Sequence, residues 1–365
     1  MARLIKLFDP DIGIDEERNL VKTLRSKFWA SGSGINNVKK FENSFNKYVG
    51  SKSCVAVNSG TAALHLALSL NNIKNKEVLL PSLSFVSTAH AVIYNGGIPK
   101  FIDVDPDTLC LDPIEVKKHI TSKTKIILPV HFGGMPADLI ELKKICKKNN
   151  LVLIEDAAHA TGSTYDKQRI GAHGDLICFS FHPVKNLAMP SGGAITFNGK
   201  NSKKLESILK SKRWCGISSR VDYSYDVNQL GWNYYMNEFS ATIGLVQLKK
   251  IEKMNRRRKY IAKRYSQEIK ISAKMPFSEN CSYHLYWLQV NKRKSFMKFL
   301  KENKIETGIH YKPIHHFSLY SSKLKLNNTD KIAKRIVSIP IHSNLSDNDV
   351  NQVIKLCNKF VEDYS

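Results

Sequence analysis

LVLIEDAAH, at residues 151–159, is a run of four apolar residues followed by two acids, two alanines and a histidine. A short continuous apolar run is typical of a strand that is buried on both faces of a parallel sheet. Ligands of such sheets bind outside the carboxyl ends of the strands. The pattern therefore predicts that Asp156 lies at the edge of the sheet where a ligand binds.

The segments on either side of this run alternate between strand and helix patterns. Strands are predicted at 54–57, 77–80, 100–104, 125–130, 151–155, 176–180 and 194–197, with helices at 36–48, 62–68 and 140–148. Such alternation indicates an α/β fold with a mostly parallel sheet that helices cover on both faces. A change of composition near residue 250 predicts a large domain, 1–250, and a smaller C-terminal α+β domain, 251–365.

Composition bounds the class of protein. The 365 residues contain no apolar run of about 20 residues, the length that a membrane helix needs. The N-terminus does not read as a signal peptide, so a cytoplasmic protein is expected. Seven scattered cysteines form no C-x-x-C pair, which predicts buried free thiols and neither a disulfide framework nor a metal site.

The chain is strongly basic, with 56 Lys and Arg against 32 Asp and Glu and a net charge of +24. Its densest cluster, residues 256–259, lies in a helical pattern whose other side carries Leu245, Leu248, Ile251 and Met254. That arrangement predicts a solvated helix face. Nucleic-acid binding is not expected, because no recognition motif accompanies the charge.

Lys185 is the best candidate for a nucleophile. It lies in CFSFHPVKNL, residues 178–187, directly after a predicted buried strand, and Gly192 and Gly193 follow it. A surface role explains such a position poorly. A lysine nucleophile requires partial desolvation, so that the amine can be neutral near pH 7.

Two further motifs suit an anionic, ring-containing cofactor. The carboxylate of Asp156, at a strand end, needs a positively charged partner, and a protonated pyridine nitrogen would supply one. The alternative is that Asp156 binds a metal or caps a loop. Residues 58–61, Asn-Ser-Gly-Thr, join a strand to a helix, where free N–H groups and the helix dipole bind phosphate. An ordinary N-cap serine is the alternative there.

Taken together, these motifs resemble those of the DegT/DnrJ/EryC1/StrS family of sugar aminotransferases. The similarity covers nearly the whole chain and is carried by residues 9–13, 59–64, 81–86, 101–105, 155–159, 180–186, 231–234, 310–315 and 339–342. It implies the type I fold of pyridoxal 5'-phosphate (PLP) enzymes, as in aspartate aminotransferase. It also implies amination of a nucleotide-linked keto-sugar, with L-glutamate as donor and 2-oxoglutarate as the donor's product.

The resemblance also assigns roles to single residues. Lys185 would form the Schiff base with the cofactor and shuttle the proton, Asp156 would pair with the pyridine nitrogen, and His159 would lie beside the ring. Phe85 would stack on the cofactor, and Gly60, Thr61 and Ser180 would bind its phosphate. Asn233 would reach that phosphate from a second subunit. His310 and His315 would lie near the sugar. An obligate homodimer with shared active sites follows from the role of Asn233.

Two positions depart from the family pattern, and two other functions stay open. Ser191 stands where an acid is common, and Tyr235 stands where Arg or an amide is common, which leaves the sugar undefined. A same-fold PLP enzyme acting on a non-sugar carbonyl is one alternative, and a non-catalytic basic regulatory protein is the other. A dinucleotide oxidoreductase is not expected, because residues 32–37 fail the G-x-G-x-x-G pattern.

Overall fold

The computed structural model describes residues 3–221, 223–320 and 324–364. Its α-helices are α1 Ile14–Arg25, α2 Asn36–Val49, α3 Gly60–Leu68, α4 Ser87–Tyr94, α5 Pro113–His119, α6 Leu139–Asn149, α7 Ser202–Lys212, α8 Glu238–Glu268, α9 Arg293–Glu302, α10 Asn327–Arg335 and α11 Asp347–Tyr364. Short 3-10 turns are formed by Phe132–Gly134, Ile314–His316 and Ser318–Tyr320.

The strands of the central sheet are β1 Ser53–Val57, β2 Glu77–Pro81, β3 Ile98–Ile102, β4 Thr124–Ile127, β5 Val152–Asp156, β8 Leu176–Ser180 and β9 Gly193–Phe197. The strands outside it are β6 Thr164–Tyr165, β7 Gln168–Arg169, β10 Ile217–Val221, β11 Ser224–Val227, β12 Tyr286–Gln289 and β13 Ile336–Ile339. The predicted strands and helices are thus present, with ends that differ from the predictions by a few residues.

The central sheet is seven-stranded, in the order β1-β9-β8-β5-β4-β2-β3. All neighbouring pairs are parallel except those made by β9, which runs antiparallel to both β1 and β8. The predicted mostly parallel sheet is confirmed. Strands β1, β8 and β9 are buried along their whole length, because apolar clusters cover both faces of the sheet.

The C-terminal part is built on an antiparallel strand pair. Strand β12 pairs with β13, from Tyr286 opposite Ile339 to Gln289 opposite Ile336, and helices α9, α10 and α11 accompany them. The long helix α8 packs against α1 and α2 and continues without a break through residue 250. The domain boundary predicted there falls inside a helix, and it stays a prediction.

The prediction for the basic cluster at 256–259 is wrong in one respect. Arg258 is 5% exposed rather than solvated, and its guanidinium donates hydrogen bonds to the carbonyls of Tyr283 and Ile341. Arg257 donates to the carbonyl of Leu345. These arginines link helix α8 to the C-terminal part, because buried guanidinium groups require acceptors.

Two further expectations can be compared with the structure. Six of the seven cysteines are buried, and all seven are free; Cys215 is the exposed one. Among the described residues, no helix combines the length and the apolar character that crossing a membrane requires.

Candidate active site

A cavity of about 300 Å³ opens at the carboxyl ends of the central strands. Its lining includes eight of the ten residues for which the sequence predicts a role, namely Gly60, Thr61, Phe85, Asp156, His159, Ser180, Lys185 and His310. These residues come from β1–α3, the β2–α4 loop, β5, β8 and its following loop, and the C-terminal part. Strand ends that lie far apart in the chain meet here because they belong to one parallel sheet.

The turn between β1 and α3, where the sequence predicts a phosphate site, forms one end of the cavity. The Ser59 hydroxyl caps α3 by accepting a hydrogen bond from the Ala62 N–H, 3.1 Å away, so the predicted alternative of an N-cap is realised. The N–H groups of the first helical residues, Gly60 and Thr61, have no carbonyl within the helix to bond. The helix cap and a phosphate site are therefore compatible, because the cap uses the Ala62 N–H and leaves those of Gly60 and Thr61 for a phosphate.

Glycine is required at position 60 by close packing. A Cβ atom there would lie 2.7 Å from the Cβ of Ser180, closer than real Cβ contacts allow. A Cβ at Gly193 would likewise lie 2.4 Å from the Ser59 carbonyl oxygen. The absence of both side chains brings the Gly60 backbone against the Ser180 side chain, so N–H and hydroxyl donors converge on one concave surface.

Lys185 is partly buried at the wall of this cavity. Burial lowers the pKa of its amine to about 8, and the carboxylate of Asp156 opposes that shift. A pKa of about 8 leaves roughly one amine in ten neutral at pH 7, far more than for a solvated lysine. The Nζ atom lies 3.4 Å from Nε2 of the buried His284.

Asp156 is held by two hydrogen-bond donors. Its Oδ1 accepts from the Ala158 N–H at 3.1 Å, and its Oδ2 accepts from the Thr88 hydroxyl at 2.9 Å. The Ser84 hydroxyl lies 2.8 Å from that of Thr88 and must donate to it, since Thr88 gives its proton to the carboxylate. Burial raises the pKa of Asp156, and the Ala158 N–H, the Thr88 hydroxyl and the Lys185 charge oppose the rise.

His159 is fixed between the backbone and a tyrosine. The Gly133 N–H donates to Nδ1 at 3.2 Å, so the proton of the neutral ring is assigned to Nε2, which lies 3.1 Å from the Tyr311 hydroxyl. Burial lowers the pKa of His159 well below its usual value, with Lys185 and His310 acting in the same direction. Tyr311 accepts from the imidazole, which leaves its own hydroxyl proton free for a partner in the cavity.

Two predicted residues do not line the cavity. Asn233 is exposed, and its carbonyl accepts a hydrogen bond from the amide of Asn58, a cavity residue. His315 is buried at 2% exposure against Ser82, so it is neither a surface histidine nor a cavity residue. Of the two unusual positions, Ser191 lines the cavity, whereas Tyr235 pairs its backbone with Val57.

Four functional candidates were missed by sequence reasoning, namely Ser84, Thr88, His284 and Tyr311. Tyr311 carried a usable signal, because it directly follows His310 in a segment that matches the family. His284 carried none, since it lies 99 residues from Lys185 and no spacing rule connects them. Thr88 lies at the start of helix α4 with no charged neighbour in sequence, and only the folded chain brings it to Asp156 at the end of β5.

Comparison with known proteins agrees with this geometry. The DegT/DnrJ/EryC1/StrS aminotransferase family matches residues 10–358. The spore coat polysaccharide biosynthesis protein SpsC of Bacillus subtilis is 34% identical over 376 residues, which cover 97% of this chain and 96% of that protein.

Solved structures give the same result. Helicobacter pylori PseC, an aminotransferase involved in the biosynthesis of pseudoaminic acid, superposes with a TM-score of 0.93 at 25% identity, covering 99% of this chain and all of that one. The PLP form of Spr1654 from Streptococcus pneumoniae, a putative sugar aminotransferase, superposes with a TM-score of 0.92 at 27% identity, covering 99% of each chain. The predicted type I fold is thereby confirmed.

Proposed function

Because the chain belongs to the DegT/DnrJ/EryC1/StrS aminotransferase family, we propose that it aminates a keto-sugar carried by a nucleotide, with glutamate as amino donor. It is a PLP-dependent sugar aminotransferase, as the family and the PLP and PMP forms of a structural relative indicate. The nucleotide, the donor and the sharing of active sites between two subunits are parts of the proposal.

The observation that carries the proposal is the convergence of three groups on one cavity. A desolvated lysine, a buried carboxylate and a cradle of N–H and hydroxyl donors line the same space of about 300 Å³. These groups match the carbonyl carbon, the ring nitrogen and the phosphate of PLP. The close packing of Gly60 against Ser180 supports a phosphate there, because it leaves the N–H groups accessible and no Cβ in the way.

When bound, PLP supplies an electron sink for the carbanion that forms next to the amino group. The chain's residues contribute binding, charge and proton transfer. Lys185 offers a neutral amine as nucleophile and base, because desolvation lowers its pKa to about 8. Asp156 holds a negative charge where a protonated ring nitrogen requires one, and the donors Thr88 and Ala158 keep that charge in place.

His159 and Tyr311 provide a neutral, oriented hydrogen-bond pair on the wall of the cavity. Since His159 is uncharged and donates to Tyr311, the tyrosine hydroxyl is oriented as a donor toward bound ligand. Phe85 is 56% exposed at the same wall, its ring centroid 6.1 Å from that of Tyr311. An exposed aromatic ring at a cavity supports the proposed stacking on the cofactor.

Thr88→Val is expected to move the acidic limb of the activity profile upward by roughly one to two pH units, because a hydrogen bond to a charged group contributes about 1.5–3 kcal/mol. Without the hydroxyl donor, the pKa of Asp156 rises further, so the carboxylate becomes protonated at a higher pH. The measurement is kcat/KM between pH 5 and pH 9. Thr88→Ser keeps the hydroxyl and should behave like the wild type, and identical profiles for Val and Ser would contradict the role of Thr88.

Sharing of active sites between two subunits is supported by exposed side chains on one part of the surface. Asn233 is exposed and does not line the cavity of its own chain, although its carbonyl accepts a hydrogen bond from the cavity residue Asn58. Tyr223, between β10 and β11, and Leu230, three residues after β11, are 101% and 85% exposed. Apolar side chains exposed to that degree support burial against another copy of the chain.

Subunit complementation tests the sharing of sites. Lys185→Ala and Asn233→Ala chains, each of which is expected to be inactive as a homodimer, are co-expressed with different tags and purified as the heterodimer, with both homodimers assayed beside it. If Asn233 acts on the partner's cofactor, one of two sites is intact, and about half of the wild-type activity is expected. An inactive heterodimer that contains both chains would show that Lys185 and Asn233 serve the same chain.

The size of the cavity indicates how the acceptor binds. A volume of about 300 Å³ is at the lower end for ligand sites and suits the cofactor with a small group. The nucleotide would therefore lie outside this cavity, where a net charge of +24 favours approach of a pyrophosphate.

We place the reaction in the cytoplasm, a location that the seven free cysteines support.

The direct test of function is a substrate panel. Purified enzyme is incubated with glutamate and nucleotide-linked 3-keto and 4-keto hexoses, and the 2-oxoglutarate released is measured, with Lys185→Ala as the blank. Turnover of at least one keto-sugar is expected. Turnover of 2-oxo acids or other non-sugar carbonyls alone would overturn the assignment of the acceptor, and a protein that takes up no PLP would overturn the enzyme assignment as well.

A further inference from the structure

Three metal-ligating side chains meet away from the active-site cavity. His315 and His316 belong to the 3-10 turn Ile314–His316, and Asp330 lies in the first turn of α10. Their donor atoms lie within 4.8 Å of one another, and no other three His, Cys, Asp or Glu side chains of the described segments form such a group. We propose that these side chains bind one divalent transition cation of the zinc class.

The distances between the donor atoms fit such an ion. Asp330 Oδ1 lies 3.1 Å from His315 Nε2 and 2.9 Å from His316 Nε2. A tetrahedral zinc ion with bonds of about 2.0–2.1 Å separates neighbouring donors by about 3.3 Å. The two imidazole–carboxylate distances are thus close to those around a bound ion, and the imidazole donors, within 4.8 Å of each other, would approach by side-chain movement.

His315 is oriented by a second residue. Its ring is buried, and Nδ1 lies 2.6 Å from the hydroxyl of Ser82, which also accepts a hydrogen bond from the His315 N–H. Metal-bound histidines commonly use the second ring nitrogen in this way, because the hydrogen bond fixes the ring and its tautomer. The remaining nitrogen, Nε2, faces Asp330.

Asp330 is positioned by the start of its own helix. Its Oδ2 accepts a hydrogen bond from the Leu326 N–H at 3.1 Å, which leaves Oδ1 to face the two imidazoles. The same helix end is anchored by Asp103, whose carboxylate accepts from the N–H groups of Asn328 and Thr329. The carboxylate ligand is thus held by contacts that do not involve the ion.

The chemistry of the donors selects the class of ion. Two imidazole nitrogens and one carboxylate oxygen suit zinc, cobalt and nickel, whereas magnesium and calcium prefer oxygen ligands. The side chains of His316 and Asp330 are 41% and 27% exposed, so an ion can enter and a water molecule can complete the coordination. Without the ion, the same groups form imidazole–carboxylate hydrogen bonds.

Binding would act on the wall of the active-site cavity. His310 and Tyr311 line that cavity, and His315 follows them on the same short segment. An ion shared by His315, His316 and Asp330 joins this segment to α10. The inference does not depend on which substrate the enzyme uses, and its test uses no activity measurement.

The experiment is a titration of the PLP-loaded wild-type enzyme with Co²⁺, followed by competition between the protein and a chromophoric zinc chelator. We expect one equivalent of Co²⁺ with the visible d–d bands of tetrahedral coordination, and Zn²⁺ that displaces it. His316→Gln and Asp330→Asn should each weaken zinc binding by at least about 100-fold, because each removes one of three protein ligands. His316 is exposed, so His316→Gln should fold and retain the absorbance of bound PLP.

His119→Gln is the matched control. His119 is a partly exposed histidine 3.9 Å from one carboxylate, Glu115, and no third donor among the described residues joins them, so its loss should leave zinc affinity unchanged. Absence of stoichiometric binding by the wild type would overturn the proposal. Equal affinity of the wild type and His316→Gln would also overturn it, since the ion would then be bound adventitiously elsewhere.

Discussion

Lys185→Ala is expected to lower the rate of transamination by at least about 10⁴-fold and to abolish covalent attachment of PLP, because it removes both the nucleophile and the base. The wild-type amine is partly neutral at pH 7, since burial lowers its pKa to about 8, and no other lysine lines the described cavity. The absorption spectrum measures the covalent link. Reduction with borohydride followed by peptide mass spectrometry locates it.

Lys274→Ala is the matched control for this variant. Burial also lowers the pKa of Lys274, but this lysine lies outside the cavity and donates to the Ile269 carbonyl. Its replacement should leave the spectrum and the rate of transamination unchanged. A reduced adduct found on a lysine other than Lys185, or retained in Lys185→Ala, would contradict the role that we propose for Lys185.

Asp156→Asn should slow transamination by roughly 10²- to 10⁴-fold, because removing one partner of a buried charge pair costs about 3–5 kcal/mol. Asparagine keeps the shape of the side chain, and its single amide oxygen can accept from the Ala158 N–H, while its NH2 group faces the Thr88 hydroxyl, which can turn to accept from it. It carries no charge to keep a ring nitrogen protonated. The measurement is kcat/KM at pH 7, together with PLP affinity by equilibrium titration.

Thermal stability distinguishes loss of the Asp156 charge from misfolding of the variant. Burial raises the pKa of Asp156, so ionisation of its carboxylate opposes folding of the cofactor-free chain as the pH rises through that pKa. Asp156→Asn should therefore melt no lower than the wild type at neutral pH when both lack PLP.

Glu155→Gln is the matched control. It alters the adjacent buried carboxylate, which contacts His131 outside the cavity, and it should retain PLP binding. Equal activities of Asp156→Asn and Glu155→Gln would rule out a special role for Asp156.

Much of the candidate active site could be predicted from the sequence, because its residues follow the ends of strands. Asp156 follows a buried apolar run, Lys185 follows another, and Gly60 and Thr61 begin a helix after a third. In a parallel sheet, the carboxyl ends of such strands lie on one edge, so local patterns were sufficient to predict their meeting. The structure brings these residues into one cavity.

Other site residues depend on long-range packing that no local pattern encodes. Thr88 reaches Asp156 from another helix, and His284 reaches Lys185 from the C-terminal part. The burial of Arg258 was mispredicted for a similar reason: its helical pattern showed a basic face but not the carbonyls of Tyr283 and Ile341 that cover it.

The sequence by itself determined the α/β class, the family resemblance and the lysine and aspartate to which we assign the cofactor chemistry, since these follow from local periodicity and short motifs. The tertiary structure decided which hydroxyls hold Asp156, which tautomer His159 adopts and how His315 and His316 meet Asp330. The physical reason is that hydrogen bonds and metal ligation act over about 2–3 Å. Only the folded chain fixes distances that short between residues that are remote in sequence.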